Sequence, residues 1–181
     1  HAPTAERSHC IVRGTQLRPC GFRSWAKGAR PKARTLIEVY LHIVFSTKHR
    51  ANIIHPEIEA ELHRYIAGII ANLDSRCIAV NGTENHVHTL VSLGKTVATG
   101  NLVREVKKGS TSWLKRQEAV SRDFSWQDGY GGFSVGRSEL PAVRRYIAAQ
   151  KEHHRRVTYD EELVSLLDEH GVAYDARYLW D

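Results

Sequence analysis

The chain has 181 residues, 41% of them hydrophobic and 25% charged, which suits one compact domain. No run reaches the ~18 apolar residues of a membrane-spanning helix, so no membrane partner is expected. Three cysteines (Cys10, Cys20, Cys77) make neither a disulfide framework nor a paired C-x-x-C zinc signature, and a reducing, cytoplasmic setting is the expectation.

The formal net charge of +6 is unevenly placed. Residues 1–35 hold eight Lys/Arg against Glu6 alone, are rich in Arg, Gly and Pro, and show no sustained period. They read as a basic, disordered extension, and 36–181 as the folded domain. That body is nearly neutral, with 18 basic and 19 acidic residues. Within it Lys95–Arg116 and Arg144–Arg156 are basic, while the stretch after Arg156 is acidic. Two basic segments on a neutral body could follow a phosphate backbone, and Arg104, Lys107, Lys108 and Arg145 are the candidate nucleic-acid contacts.

Along the body, Ile37, Val39, Leu41, Ile43 and Phe45 alternate as a half-buried strand does. Pro56 opens a helical pattern in which Ile58, Leu62, Ile66, Ile69, Ile70 and Leu73 recur at spacings of three and four. Cys77–Val80 is a short strand that Asn81-Gly82 should end as a turn, and His86–Leu93 alternates again. Residues 99–119 carry a second helical stripe of Leu102, Val103, Val106, Trp113 and Leu114. Phe124–Trp126 and Phe133–Val135 flank a glycine-rich turn, Asp128 to Gly132. One long helix is expected from Glu139 to Arg156 with Pro141 in its first turn. Thr158-Tyr159-Asp160-Glu161 has capping-box spacing and starts a last helix that Gly171 stops. The order β-α-β-β-α-β-α predicts an α+β fold of the ferredoxin-like, split-βαβ class, an antiparallel sheet with helices packed on it.

His86 and His88 stand at i and i+2 of a strand, so their side chains share one sheet face roughly 6–7 Å apart. Two imidazoles on a rigid element make a two-point metal clamp, although an isolated His-x-His is a short pattern. Tyr146 and Gln150 stand at i and i+4 of the long helix and are therefore neighbours on one helical face. A glutamine amide oxygen suits Mg²⁺ or Mn²⁺, and two imidazoles plus that oxygen leave positions open for phosphate oxygens. Tyr130, on the glycine-rich turn, is the physical runner-up among seven tyrosines. His153 and His154 read as surface histidines near a basic helix end.

Four motifs occur in order: Leu41-His42-Ile43-Val44-Phe45-Ser46-Thr47-Lys48, Glu84-Asn85-His86-Val87-His88, Phe124 through Gly131, and Tyr146 through His154. Together they resemble the IS200-like (TnpA-type), single-tyrosine HUH transposases of bacterial insertion sequences, over residues 36–181. The resemblance implies an HUH endonuclease-like domain in which His86 and His88 bind the metal, Tyr146 is the nucleophile and Gln150 is the third ligand. It implies cleavage and rejoining of single-stranded DNA, at the hairpin ends of a mobile element, through a 5′-phosphotyrosine. Mg²⁺ or Mn²⁺ would be the cofactor, the cell bacterial, and the enzyme a homodimer in which the tyrosine helix can complete the partner's site. No nucleotide triphosphate is needed, in keeping with the absence of a G-x-x-x-x-G-K loop.

Three other readings compete. A domain binding RNA or DNA on its sheet would want exposed aromatics on central strands, and the strand around His86–Leu93 has none. A water-using metallohydrolase would need a carboxylate base near the histidines, for which Glu84 is the close candidate. A domesticated relative would keep the same residues.

Overall fold

The computed structural model describes residues 35–179. The predicted basic extension therefore lies outside the described residues, apart from Thr35. Four strands, β1 (Tyr40–Ser46), β2 (Arg76–Gly82), β3 (His86–Ser92) and β4 (Gly131–Ser134), form one antiparallel sheet in the order β2-β3-β1-β4. With α1 (Pro56–Asn72) between β1 and β2 and α2 (Thr99–Leu114) between β3 and β4, this is the split-βαβ arrangement that the sequence order predicts. The helices α3 (Leu140–Ala148), α4 (Gln150–His153) and α5 (Tyr159–Glu169) follow.

Strand alternation sorts the side chains into two cores. Ile43 and Phe45 of β1 and Val87 and Val91 of β3 face α1 and α2, where Leu62, Ile66, Ile70, Leu102, Val103 and Val106 close a buried cluster. On the other face Val44 and Phe133 meet Tyr159, Leu163, Leu166 and Leu167 of α5, while Tyr40 and Leu90 meet Ile147 of α3. The sheet is thus covered on both sides. His86 and His88 share the face that α3, α4 and α5 cover, because they are in phase with Leu90.

Several boundaries differ from the sequence pattern, each for a tertiary reason. Residues 36–39 do not pair as strand, and Leu36 and Ile37 are exposed. Phe124–Trp126 forms only one bridge, Trp126 to Thr47, yet both aromatics are buried and meet edge to face. Their hydrophobic surface goes into the core while the backbone bonds to the end of β1 and the turn after it, Lys48 N to Ser125 O and Gln127 N to Ser46 O. The α2 helix stops at Leu114, where Gln117 Nε2 donates to the Trp113 carbonyl. The expected helix from 139 to 156 is broken at Ala149 (φ −94°, ψ 7°). Asn81 Nδ2 donates to Ile147 O at 2.8 Å and Ala148 O at 3.2 Å, taking carbonyls that a continuing helix would have used. The last helix behaves as expected: the Thr158–Glu161 capping box is complete, and Gly171, at φ +62°, ends the segment.

Asn81 and Gly82 are not the turn itself but the last pair of β2, opposite His88 and Val87. A methyl on Gly82 would lie 2.1 Å from the His86 carbonyl oxygen and 3.0 Å from Val87 Cα, both backbone. The missing side chain lets β2 approach the strand that carries the histidines. Gly82→Ala is expected to destabilise the fold by about 1–3 kcal/mol, read as a lower urea midpoint at unchanged slope; a wild-type midpoint would contradict this close approach.

Candidate metal centre and tyrosine

The two histidines of β3 are fully buried, with ring centroids 5.0 Å apart at 77°. Each is held from behind at Nδ1. His86 Nδ1 lies 2.8 Å from Asn85 Oδ1 and 2.9 Å from Thr83 Oγ1 in the turn that precedes β3. His88 Nδ1 lies 2.9 Å from Nε2 of His42, which β1 places beside it. Both Nε2 atoms therefore face the covering helices, as histidines that bind metal through Nε2 require.

What they face is Glu162 of α5, a carboxylate with 3% exposure. His88 Nε2 is 3.2 Å and His86 Nε2 3.8 Å from Glu162 Oε2. His154, whose Nδ1 is 2.8 Å from the Val157 carbonyl, brings its Nε2 to 3.0 Å from the same oxygen. The ligand atoms of His86, His88, His154 and Glu162 all lie within 4.8 Å of one another. His154 is therefore not the surface histidine that the sequence pattern implied. His153 is more open, with Nε2 3.6 Å from Glu162 Oε1.

The helix break brings Tyr146 and Gln150 to this carboxylate. The Tyr146 hydroxyl donates to Glu162 Oε1, and Gln150 Nε2 donates to the same atom at 2.8 Å. Gln150 is fully buried, and its Oε1 lies 3.5 Å from His86 Nε2. The four residues that the sequence singles out, His86, His88, Tyr146 and Gln150, thus meet at one place in one chain. Tyr159 also reaches the cluster, with its ring 4.8 Å from that of His86, but its hydroxyl donates to Gln127 Oε1 at 3.2 Å. Tyr130 is exposed, near Gly100 at the start of α2.

Glu162, His42 and Asn81 were not found from sequence as site residues. Glu162 left one signal: it stands in the buried stripe of α5 between Tyr159 and Leu166, at spacings of three and four, where a charge needs a partner. The candidate nucleic-acid contacts separate. Arg104 and Lys108 are exposed on α2, in the layer across the sheet from the histidines. Arg145 is exposed on α3, in the tyrosine's layer. Lys107 instead donates to the carbonyls of Gln127 and Gly129 and lies 5.2 Å over the Phe45 ring. Burial lowers its pKa to about 8, against the raising effect of Asp128.

The electrostatics follow from enclosure. Burial, then the neighbouring His88 and His154, pushes His86 down to about 2. Burial, then His88, pushes His42 down to about 3, so both rings are neutral at physiological pH. For Glu162, burial works to raise the pKa, but the imidazoles of His154 and His88 beside its carboxylate and the hydrogen bond from Tyr146 outweigh it and keep the group ionised. Tyr146 is held far above the ordinary phenol value, first by burial and then by its bond to Glu162.

These donors suit a divalent cation. His88 Nε2 is buried and makes no hydrogen bond among the described residues, although a carboxylate oxygen is 3.2 Å away. An imidazole lone pair aimed into a set of nitrogens and one carboxylate is what a coordinated ion would use.

A split antiparallel sheet whose central strand offers two buried histidines to a helix-borne tyrosine defines a metal-ready, tyrosine-bearing centre of the HUH type. The "Transposase IS200 like" family model matches residues 35–150, and the chain belongs to that family. The match stops at Gln150, so His153, His154 and Glu162 lie beyond it. No curated protein sequence matches the chain. Among solved structures, a Deinococcus radiodurans R1 protein assigned as a transposase superposes with a TM-score of 0.52 at 16% identity, covering 67% of this chain and 98% of its own. A REP-associated tyrosine transposase, solved bound to a REP hairpin, gives a TM-score of 0.51 at 15% identity, covering 71% and 76%. At these identities the structures support the shared fold.

A pH dependence follows. His42, His86 and His63 (pushed to about 4 by burial, then Lys151) have folded pKa values below the unfolded value of about 6.5. The unfolded chain therefore binds more protons below that pH, and their stabilisation, complete above about pH 6.5, is lost as pH falls toward 4. In EDTA the thermal midpoint should fall steadily between pH 7 and 5, each group contributing about 1.4 kcal/mol per pH unit once well below 6.5. A flat midpoint over that range would contradict the buried neutral rings.

Proposed function

We propose that this transposase cleaves and rejoins single-stranded DNA by transesterification at Tyr146, beside a divalent ion held by His86 and His88 with Gln150. The observation that carries this reading is the convergence of both imidazole Nε2 atoms, the Gln150 amide and the Tyr146 hydroxyl on one buried carboxylate. Glu162 and His154 add donors within the same few ångströms. A set rich in imidazole nitrogen is softer than Mg²⁺ prefers, which favours Mn²⁺ of the two.

The Tyr146 oxygen attacks a backbone phosphorus as its proton passes to Glu162 Oε1, the atom it already faces. The new bond joins tyrosine to the 5′-phosphate of the downstream fragment. The bond from phosphorus to the 3′-oxygen breaks, and that oxygen leaves with a proton from water. Rejoining runs in reverse, with a 3′-hydroxyl attacking the phosphotyrosine, so no triphosphate is consumed. A bound divalent ion supplies Lewis-acid stabilisation of charge on the phosphate and the leaving oxygen. Gln150 ties the carboxylate to the tyrosine's helix pair, and the histidines' rear partners hold their rings in place. The base-like carboxylate near the histidines is thus Glu162 rather than Glu84, and it faces a tyrosine hydroxyl, which favours the tyrosine route over hydrolysis by water.

Two recesses flank the cluster, giving a strand a way in and out. One of about 410 Å³ is lined by Tyr146, His153 and Glu162; the other, of about 620 Å³, by His154, Lys151, Arg155 and Arg156. The cover of α3–α5 over the histidine face argues against binding of nucleic acid on an open sheet. The hairpin bound in the REP-associated tyrosine transposase structure supports hairpin single strands, at the ends of a mobile element, as the proposed substrate. The functional unit is proposed as a homodimer. Arg145 is the nearest of the remaining proposed backbone contacts to the tyrosine in sequence, and Arg104 and Lys108 would serve a more distant part of the DNA, while Lys107 is taken up by the glycine-rich turn.

Incubation of labelled single-stranded hairpin DNA with the protein and Mn²⁺ should give an SDS-resistant adduct. Tyr146→Phe is expected to abolish the adduct and keep DNA binding, and His86→Ala to reduce it by at least ~100-fold. An adduct that persists in Tyr146→Phe would sink the nucleophile assignment.

A further inference from the structure

His42 belongs to the first motif of the chain and touches none of the reacting atoms, standing instead behind His88. It is buried at 3% exposure, a costly place for an imidazole unless its nitrogens are used. Antiparallel pairing sets His42 opposite Leu90, so His88 is its diagonal neighbour on the same face. The two rings stack, with centroids 5.1 Å apart at 24°, and His42 Nε2 is 2.9 Å from His88 Nδ1. His42 is fixed in turn by an edge contact with Tyr146 and a tilted one with Phe133, each ring centroid 6.0 Å away.

We propose that His42 is a positioning residue that accepts the Nδ1 proton of His88 and so keeps the His88 Nε2 lone pair free and aimed at the ion. The proposal rests on the reading of His86 and His88 as metal ligands. A neutral imidazole carries one proton, so whichever nitrogen donates to a neighbour decides which one can coordinate. His86 and His154 face fixed acceptors at Nδ1, the Asn85 side-chain oxygen and the Val157 carbonyl. For His88 the partner is an imidazole, and it serves only if its own proton sits on Nδ1, leaving Nε2 as acceptor. His42 also spans from the metal ligand to the tyrosine, stacked on His88 and edge-on to Tyr146.

Packing alone makes a different prediction from hydrogen bonding, and substitutions at this position separate them. His42→Leu fills similar space without an acceptor, whereas His42→Gln offers an oxygen near the place of Nε2. In calorimetric titration with Mn²⁺, without DNA, His42→Leu should bind the ion about 10–100-fold more weakly than wild type. His42→Gln should recover most of that loss. Equal affinity of His42→Leu and wild type, or an equal loss in both variants, overturns the proposal. Should the leucine variant fail to fold, long-range ¹⁵N–¹H spectra of the zinc-loaded wild type decide. His88 is expected protonated at Nδ1 and His42 bare at Nε2; the reverse pattern overturns the assignment. A wild type that binds no divalent ion would overturn the metal reading as well, whereas wild-type binding with unaffected variants would remove only His42's role.

Discussion

A carboxylate cannot remain ionised in a protein interior unless donors surround it, and Glu162 organises its half of the molecule around that requirement. Its oxygens receive the Tyr146 hydroxyl and the Gln150 amide, with His154 Nε2 at 3.0 Å and His88 Nε2 at 3.2 Å. Those partners come from α3, α4, the segment after α4, and β3, while Glu162 comes from α5. Five separate pieces of chain must be in register for one buried charge to be satisfied. Removing any one partner would leave part of that charge exposed to a low-dielectric interior, which is far more costly than losing a surface contact.

The same requirement explains the broken helix. A straight helix through 139–156 would satisfy its own backbone, but here Asn81 takes the carbonyls of Ile147 and Ala148 at the edge of the sheet. The chain turns at Ala149, and both Tyr146 before the break and Gln150 after it reach Glu162. The tyrosine at rest is therefore a protonated phenol bonded to a carboxylate, in a setting that disfavours the free phenolate. In the proposed reaction it would pass its proton as the bond to phosphorus forms, rather than ionise beforehand.

Local pattern made much of this legible. Alternation marked β1 and β3, three-and-four spacing marked α1 and α2, and the capping box marked the start of α5. The His-x-His pair followed from strand periodicity alone, and ordered motifs led to Tyr146 and Gln150. The features that escaped depend on contacts between segments far apart in sequence. Glu162 sits 76 residues after His86 and looks like one more acid in an acidic helix. His154 reads as solvent-facing until the turn after α4 folds it inward to 3.0 Å from Glu162. Asn81-Gly82 has the composition of a turn, yet Asn81 holds a helix end and Gly82 lets two strands approach. Lys107 looks like a phosphate contact, but its ammonium holds the glycine-rich turn by two carbonyls.

The family model ends at Gln150, whereas the carboxylate that gathers the site comes from α5 beyond it. The proposed chemistry requires Nε2 of His86 and Nε2 of His88 to bind a divalent cation beside Tyr146. A crystal structure of the protein grown with Mn²⁺, with data collected at the manganese absorption edge, tests this most directly. The predicted result is one anomalous peak within ordinary coordination distance of both Nε2 atoms and of an oxygen from Gln150 or Glu162. An anomalous map with manganese only at surface carboxylates and none between the two histidines would contradict it.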